Sequence, residues 1–139
     1  MKRISSRAII IEDNKLLVIF RRKIKDGVKK EYYVIPGGGL EEGETLEENV
    51  IREIKEELNI DIEIIKKLET LEFDETIENY FQCKRINGTP KLSGEEKERM
   101  SDENYYEVRY IDLDKLDEYD IKAKDIIKRL LWGNLFFAF

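Results

Sequence analysis

Residues 37–60 read GGGLEEGETLEENVIREIKEELNI, and this stretch is the most informative part of the chain. Between Glu41 and Glu57 it holds eight glutamates and only two basic residues, Arg52 and Lys55. Carboxylates one turn apart on a helix repel one another. A cluster of carboxylates this dense therefore needs either free solvation or a nearby cation. The three glycines that precede it would let the backbone approach a ligand closely.

The helix inside this stretch is the best-specified element of the sequence. Thr45, followed three residues later by Glu48, matches a capping box and predicts a helix over about 46–58. Asn59 follows where a left-handed residue commonly ends a helix, and Asn adopts that conformation more readily than most residues other than Gly.

A helical wheel places the acids of this helix beside its apolar stripe. With Leu46 at zero and about 100° per residue, the predicted core residues fall within roughly 40° to 140°; they are Val50, Ile51, Ile54 and Leu58. Glu57, Glu53 and Glu56 fall at about 20°, 340° and 280°. Three carboxylates thus share one arc at the edge of the core, and Arg52 is the one basic residue expected beside them.

Two interpretations of this acidic arc stay open. A glutamate-rich helix face is most often a solvated surface. A hard dication would instead relieve the repulsion, because Mg²⁺ takes oxygen ligands from carboxylates, phosphates and water. No Gly-Lys-Ser/Thr follows Gly37–Gly39, which excludes a Walker-type phosphate loop. The acids lie on a helix face rather than in a 12-residue EF-hand loop, which disfavours a structural calcium protein.

Composition narrows the chemistry further. The 139 residues suit one domain, predicted over 1–139, and contain no histidine, which excludes Ser-His-Asp and Cys-His catalysis and His-ligated zinc. The single Cys83 excludes an internal disulfide. A net charge of −6 argues against duplex nucleic acid as a partner. Without a long apolar run or a signal peptide, we expect no membrane partner and a cytoplasmic location.

Alternating and periodic apolar residues predict a mixed α/β sandwich. The predicted strands are 4–11, 16–20, 32–35, 60–71, 77–86 and 105–111. Residues 21–30 are predicted as a charged hairpin loop around Asp26 and Gly27, and residues 93–104 as a polar loop. A short helix is expected at 114–119 and an amphipathic helix at 122–132, followed by an apolar tail, 132–139, that packs on the sheet or forms a dimer contact.

At this point the chain resembles the Nudix box, GX5EX7REUXEEXGU, in which U is a bulky aliphatic residue. The matching residues are Gly38, Glu44, Arg52, Glu53, Ile54, Glu56, Glu57 and Ile60. The one departure is Asn59, where the family has Gly, at a position that ends the helix. The resemblance implies a Nudix-type α/β/α sandwich with a mixed β-sheet, a central catalytic helix and a C-terminal helix.

The resemblance also implies an activity, the hydrolysis of a nucleoside diphosphate linked to another group. Glu53, Glu56 and Glu57 would bind Mg²⁺ or Mn²⁺, helped by a backbone carbonyl at Gly37 or Gly38. A proline downstream of the box resembles the mark of family members that act on ADP-ribose. Residues 70–87 of this chain contain no proline, which disfavours that substrate. The substrate class that is left is that of a MutT-like hydrolase, which acts on nucleoside triphosphates or related small nucleotides. We expect the protein to be a monomer or a homodimer. A Nudix-fold module that senses a nucleotide without cleaving it is the alternative.

The remaining site residues are assigned by the same resemblance. Since the chain lacks histidine, a carboxylate would take the proton: Glu53, or an acid of the loop 93–104, with Glu96 preferred over Glu98. The residues expected to support the site are Gly38, Glu44 and Arg52, and those expected to bind substrate are Arg21, Arg22 and Tyr33.

Overall fold

The structure, a computed structural model, describes residues 2–137, and the side chains of residues 95, 96 and 133–137 lie outside that description. In chain order the elements are β1 (Arg3–Glu12), β2 (Lys15–Lys25), β3 (Val28–Val34), β4 (Gly37–Gly39), α1 (Leu46–Leu58), β5 (Asp61–Glu72), β6 (Thr76–Asn87), α2 (Glu95–Glu98), β7 (Asn104–Asp112), a 3₁₀ turn (Leu113–Glu118) and α3 (Lys124–Phe137). Among the described residues, no helix is long and apolar enough to cross a membrane.

The strands form one mixed sheet. Its order is β3-β2-β1-β6-β5, and β4 pairs with β1 while β7 pairs with β2. β1 and β6 run parallel, with Arg3 opposite Thr76 and Ile10 opposite Cys83, and the other recorded strand pairs are antiparallel. The mixed sheet expected from the sequence is confirmed.

Two apolar cores lie on opposite faces of this sheet, one under each long helix. Side chains alternate along a strand, so Ala8 and Ile10 of β1 pack with the α1 core while Ile9 packs with the other. The α1 core includes Val50, Ile54, Leu58, Leu17, Ile19 and Phe81. The α3 core includes Ile126, Ile127, Leu130, Leu16, Val18 and Tyr80. The predicted α/β/α layering is therefore confirmed.

The hairpin predicted over residues 21–30 turns at Asp26 and Gly27 as expected, but the charged residues on either side of the turn are strands rather than a loop. β2 continues to Lys25 and β3 begins at Val28, which leaves a two-residue turn at Asp26 (φ 52°) and Gly27 (φ 76°). Positive φ at both positions is what a tight hairpin turn requires. The charges were misleading because β3 is an edge strand, where Lys and Glu side chains are tolerated in regular β structure.

Two further expectations need correction at the end of the chain and in the polar loop. The loop 93–104 contains the short helix α2. The C-terminal helix α3 continues to Phe137 rather than ending at 132, and Trp132, the one residue of the predicted apolar tail whose side chain is described, is 70% exposed. The side chains of residues 133–139 lie outside the described residues.

Both ends of α1 are formed as the sequence predicts. The Thr45 hydroxyl accepts a hydrogen bond from the Glu48 backbone N–H (3.1 Å), and the Glu48 carboxylate accepts one from the Thr45 N–H (3.0 Å). Asn59 ends the helix in the left-handed conformation, with φ 56° and ψ 38°. The helix is thereby fixed in register with the glycine strand before it.

The burial of α1 differs from the helical wheel at two positions. Ile51, expected in the core stripe, is 43% exposed, because it lies at the far edge of the stripe. Asn49 is fully buried, since its side-chain amide donates to the carbonyls of Gly38 (3.3 Å) and Gly39 (3.0 Å). A polar side chain thus joins α1 to β4.

Replacing Asn59 with Gly should stabilise the protein. The left-handed conformation strains every residue with a Cβ, less for Asn than for most, so Asn59→Gly should raise the free energy of unfolding by up to about 1 kcal/mol. Asn59→Ala should lower it by about 1 kcal/mol. Urea unfolding monitored by circular dichroism measures both, and equal stabilities for the two variants would contradict this explanation of the helix end.

Candidate functional site

Arg52 is the hub of the acidic region. Its Nε and Nη2 donate to the two carboxylate oxygens of Glu44 at 2.6 and 3.0 Å. Its Nη1 donates to Glu53 (3.1 Å) and Glu56 (3.1 Å), and its Nη2 also donates to the backbone carbonyl of Gly39 (3.0 Å). One guanidinium therefore binds three of the glutamates and the glycine strand together.

The glycines of β4 allow this close approach. A Cβ on Gly37 (φ 155°) would lie 2.7 Å from the Cα of Arg7, so no larger residue fits there. A Cβ on Gly38 would overlap the carboxylate of Glu53. The Glu53 side chain therefore rests against bare backbone, in space that any other residue at position 38 would fill.

The three acids of the predicted arc differ in exposure, in the order that the wheel implies. Glu57 is buried, with 7% of its surface exposed; the Glu53 side chain is 19% exposed, and that of Glu56 58%. Burial raises the pKa of Glu53, and Arg52 partly offsets the shift. Conversely, the hydrogen bonds from Arg52 lower the pKa of Glu44. The acids at the core edge are thus the least hydrated.

These acids line a cleft of about 760 Å³ between α1, β4 and the loop that follows β6. The cationic residues of its lining are Arg3, Arg7, Arg21, Arg52 and Arg99, and the acidic ones are Glu41, Glu53, Glu56, Glu57 and Glu98. The expectation that Arg52 is the one basic residue beside the acids is therefore wrong. Sheet pairing and the loop bring the other four arginines from distant parts of the sequence.

The loop after β6 is tied to the end of α1. The backbone N–H of Ser93 donates to the carbonyl of Glu57 (2.8 Å), and the Ser93 hydroxyl donates to the carbonyl of Glu56. This attachment brings Glu98 to the rim of the cleft. The side chain of Glu96, the preferred second acid, lies outside the described residues.

The three residues expected to bind substrate lie in different places. Arg21 lines the cleft, where its Nη2 donates to the Tyr106 hydroxyl (2.9 Å). Arg22 points to the opposite face of β2, with its guanidinium 4.8 Å from the centroid of the Tyr105 ring. Tyr33 lines a neighbouring cavity, and its hydroxyl accepts a hydrogen bond from Arg109 (3.2 Å). Arg21 alone of the three reaches the acidic cleft.

The donor chemistry of this cleft fits a hard divalent cation. It offers carboxylate and carbonyl oxygens, and the chain has no histidine to attract a softer metal. Within the described residues, however, no three His, Cys, Asp or Glu side chains converge on one point as they stand. Two of the acids of the arc, Glu53 and Glu56, accept hydrogen bonds from the same nitrogen of Arg52.

Sequence reasoning missed several residues that line the cleft or support its wall. Asn49 had a usable signal, because the helical wheel places it at about 300°, next to the acidic arc. The sequence gives no such signal for Arg3, Arg7 and Arg99, since their position depends on how β1 pairs with β4 and on the path of the loop after β6.

A family model described as NUDIX domain matches residues 1–130 of this chain. The chain belongs to the NUDIX family. An ADP-ribose pyrophosphatase from Methanocaldococcus jannaschii is 50% identical to it over 52 residues, which are 37% of this chain and 29% of that relative. The alignment therefore spans less than a third of the curated relative.

Solved structures of NUDIX proteins share the fold of this chain. A NUDIX hydrolase from Nitrosomonas europaea superposes with a TM-score of 0.70 at 16% identity, covering 96% of this chain and 90% of that one. A MutT NUDIX hydrolase from Burkholderia pseudomallei superposes with a TM-score of 0.64 at 22% identity, covering 82% and 85%. The family and fold that the box implied are confirmed.

The substitution Gly38→Ala should weaken metal binding while leaving the stability of the fold nearly unchanged. The added methyl group would displace the Glu53 carboxylate, the mobile end of a flexible side chain, so the free energy of unfolding should change by under about 1 kcal/mol. Affinity for Mn²⁺, measured by electron paramagnetic resonance, should fall by about tenfold or more.

Gly39→Ala is the matched control for this variant. Its methyl group would meet the guanidinium of Arg3 instead of Glu53, so Mn²⁺ affinity should stay close to that of the parent protein. Equal Mn²⁺ affinities in the two variants would show that contact with Gly38 does not position Glu53.

Proposed function

We propose that this chain is a divalent-metal-dependent pyrophosphohydrolase, which cleaves the phosphoanhydride bond of a nucleoside diphosphate linked to a second group by attack of water. One observation carries this proposal: helix-borne carboxylates and five arginines face the same cleft. Phosphoanhydride hydrolysis needs both kinds of group, the acids to hold a cation and the guanidinium groups to bind phosphate oxygens.

Glu53, Glu56 and Glu57 would hold Mg²⁺ or Mn²⁺, together with the backbone carbonyl of Gly37 or Gly38. Such an ion, when bound, neutralises diphosphate charge and lowers the pKa of a water molecule. The carbonyl of Gly38 accepts one hydrogen bond, from Asn49 at 3.3 Å, and a carbonyl oxygen has a second lone pair. That carbonyl can therefore serve as a ligand without losing its contact with α1.

Arg3, Arg7 and Arg21 would bind the phosphate oxygens. Guanidinium groups form two parallel hydrogen bonds to phosphate, which orients a diphosphate as well as attracting it. All three are on the β1 and β2 strands, so the rigid sheet holds them relative to α1. Arg22 faces away from this cleft, and we do not assign it a contact with the diphosphate.

A carboxylate would accept the proton of the attacking water. Glu53 is one candidate for this role, since it lines the cleft in which the attacking water would lie. Glu98 at the rim is the second described candidate, and Glu96 remains a candidate from the sequence. Arg52 and Glu44 would act as positioning residues through their mutual ion pair.

Two observations bear on the second group of the substrate. The sequence favours a nucleoside triphosphate or a related nucleotide, since it lacks the proline that resembles an ADP-ribose mark. The M. jannaschii relative is named for ADP-ribose, although the match covers 29% of it. Both classes carry a diphosphate next to a nucleoside, which is the part that the carboxylates and arginines would recognise.

A substrate panel with one paired variant tests the activity. Nucleoside triphosphates, oxidised nucleotides, nucleotide sugars, ADP-ribose and dinucleoside polyphosphates should be screened with Mg²⁺ or Mn²⁺ and the products identified. Glu57→Gln should lower kcat by about 100-fold or more, because it removes a charged ligand of the ion. Glu47→Gln makes the same change at an exposed site of α1 and should keep full activity.

Three outcomes of this screen have distinct meanings. Turnover that is lost in Glu57→Gln and kept in Glu47→Gln supports the proposal. Nucleotide binding with no turnover across the panel would instead support a sensing module. Full activity in Glu57→Gln, with an unchanged circular dichroism spectrum, would contradict the role given to the acidic arc.

A further inference from the structure

A second cavity, of about 590 Å³, lies beside the acidic cleft. The two share Arg7, Arg21 and Val34, which form a common wall. The volume falls within the range of small-molecule sites. Glu53, Glu56 and Glu57 line the first cavity and are not among the described residues that line the second. Any group bound in the second cavity would therefore lie away from the three acids of the first.

The charge of this second cavity is opposite to that of the whole chain. Its lining has five cationic side chains, Arg7, Arg21, Lys23, Lys30 and Lys122, and three acidic ones, Glu31, Glu78 and Asp120. The chain as a whole carries a net charge of −6. Two of the three acids are also held by a cation, Glu78 by Arg7 (3.1 Å) and Glu31 by Lys29 outside the lining (3.4 Å). The lining thus keeps an excess of positive charge.

Two of the positive charges of this lining, those of Lys23 and Lys30, lie next to each other. They are direct cross-strand partners on β2 and β3. Like charges placed directly opposite each other destabilise a pair of strands. In the part of the chain that the structure describes, neither ammonium group forms an ion pair, whereas the adjacent Lys29 pairs with Glu31. An anion between the two lysines would remove the repulsion.

The two arginines of the shared wall are each held by contacts with neighbouring residues. The Arg7 guanidinium donates to Glu78 (3.1 Å) and to the backbone carbonyl of Ile35 (2.7 Å). Glu78 is 6% exposed and also accepts a hydrogen bond from the Tyr80 hydroxyl (2.7 Å). On the other side, Arg21 lies 4.7 Å from the centroid of the Tyr106 ring. Both arginines are therefore fixed in place, and each borders both cavities.

We propose that the second cavity binds a phosphate group that the ligand carries away from its diphosphate, with Lys23 and Lys30 as its main contacts. The preferred substrate class would then be a nucleotide that has an additional phosphate monoester, for example on its ribose. A neutral base or sugar in this cavity would leave the two ammonium groups unneutralised, whereas a phosphate offers each a charge-assisted hydrogen bond. The link to substrate choice rests on the proposed hydrolysis, but phosphate binding itself does not.

Calorimetry without turnover tests this binding site. Adenosine 2′,5′-bisphosphate, adenosine 3′,5′-bisphosphate and AMP should be titrated into the full chain in EDTA, which prevents metal-dependent hydrolysis. At least one bisphosphate should bind about tenfold more tightly than AMP, because it adds one doubly charged group. The preference should weaken as salt is raised, since it is electrostatic.

A matched pair of variants assigns the effect to the cavity. Lys23→Gln with Lys30→Gln should abolish the preference, and it should raise the unfolding temperature, because it removes a like-charge pair. Lys25→Gln with Lys66→Gln removes the same charge from lysines that are exposed, as Lys23 and Lys30 are, but that line neither cavity, and should keep the preference.

Three results would overturn the proposal: equal binding of AMP and both bisphosphates, no detectable binding of any of them, or the same change in both double variants. None of these bears on hydrolysis, which the substrate panel measures separately. If the panel shows no turnover, the preference for a bisphosphate still tests the second cavity.

Discussion

The contacts of a single guanidinium group allow α1 to carry its negative charge. Arg52 binds Glu44 through two hydrogen bonds and reaches Glu53 and Glu56 through a third nitrogen. Its side chain is 22% exposed, so water screens these interactions less than at an open surface. The carboxylates in turn raise the pKa of Arg52, so its charge is secure at every ordinary pH. Without this hub, repulsion between the acids would oppose the helix that carries them.

The same residue joins the acids to the backbone of the sheet. Arg52 and Asn49 both donate to the carbonyl of Gly39, and Asn49 also donates to Gly38. β4, which contains these glycines, pairs with β1, which in turn pairs with β6 at the centre of the sheet. The position of the Glu53 carboxylate is therefore set by the sheet as well as by the helix, and the arginines of β1 and β2 lie opposite it on the same framework.

Features that depend on neighbours along the chain could be predicted from the sequence. The capping box at Thr45, the left-handed Asn59 and the acidic arc need only local geometry, and the structure has all of them. Features that depend on pairing between distant segments could not. Arg7 enters the cleft because β4 folds back on β1, and the charged flanks of the hairpin 21–30 are paired strands because they lie at the edge of the sheet. Composition gives no sign of either pairing.

The carboxylates of α1 are proposed to take up a divalent ion next to a bound diphosphate. The most direct measurement is an anomalous difference map from crystals that contain Mn²⁺ and a non-hydrolysable nucleotide analogue. The account predicts a manganese peak in contact with Glu53, Glu56 and Glu57, with Arg52 still bound to Glu44 and the phosphates beside the arginines. A cleft that contains the analogue but no manganese, with the three carboxylates directed apart into solvent, would contradict it.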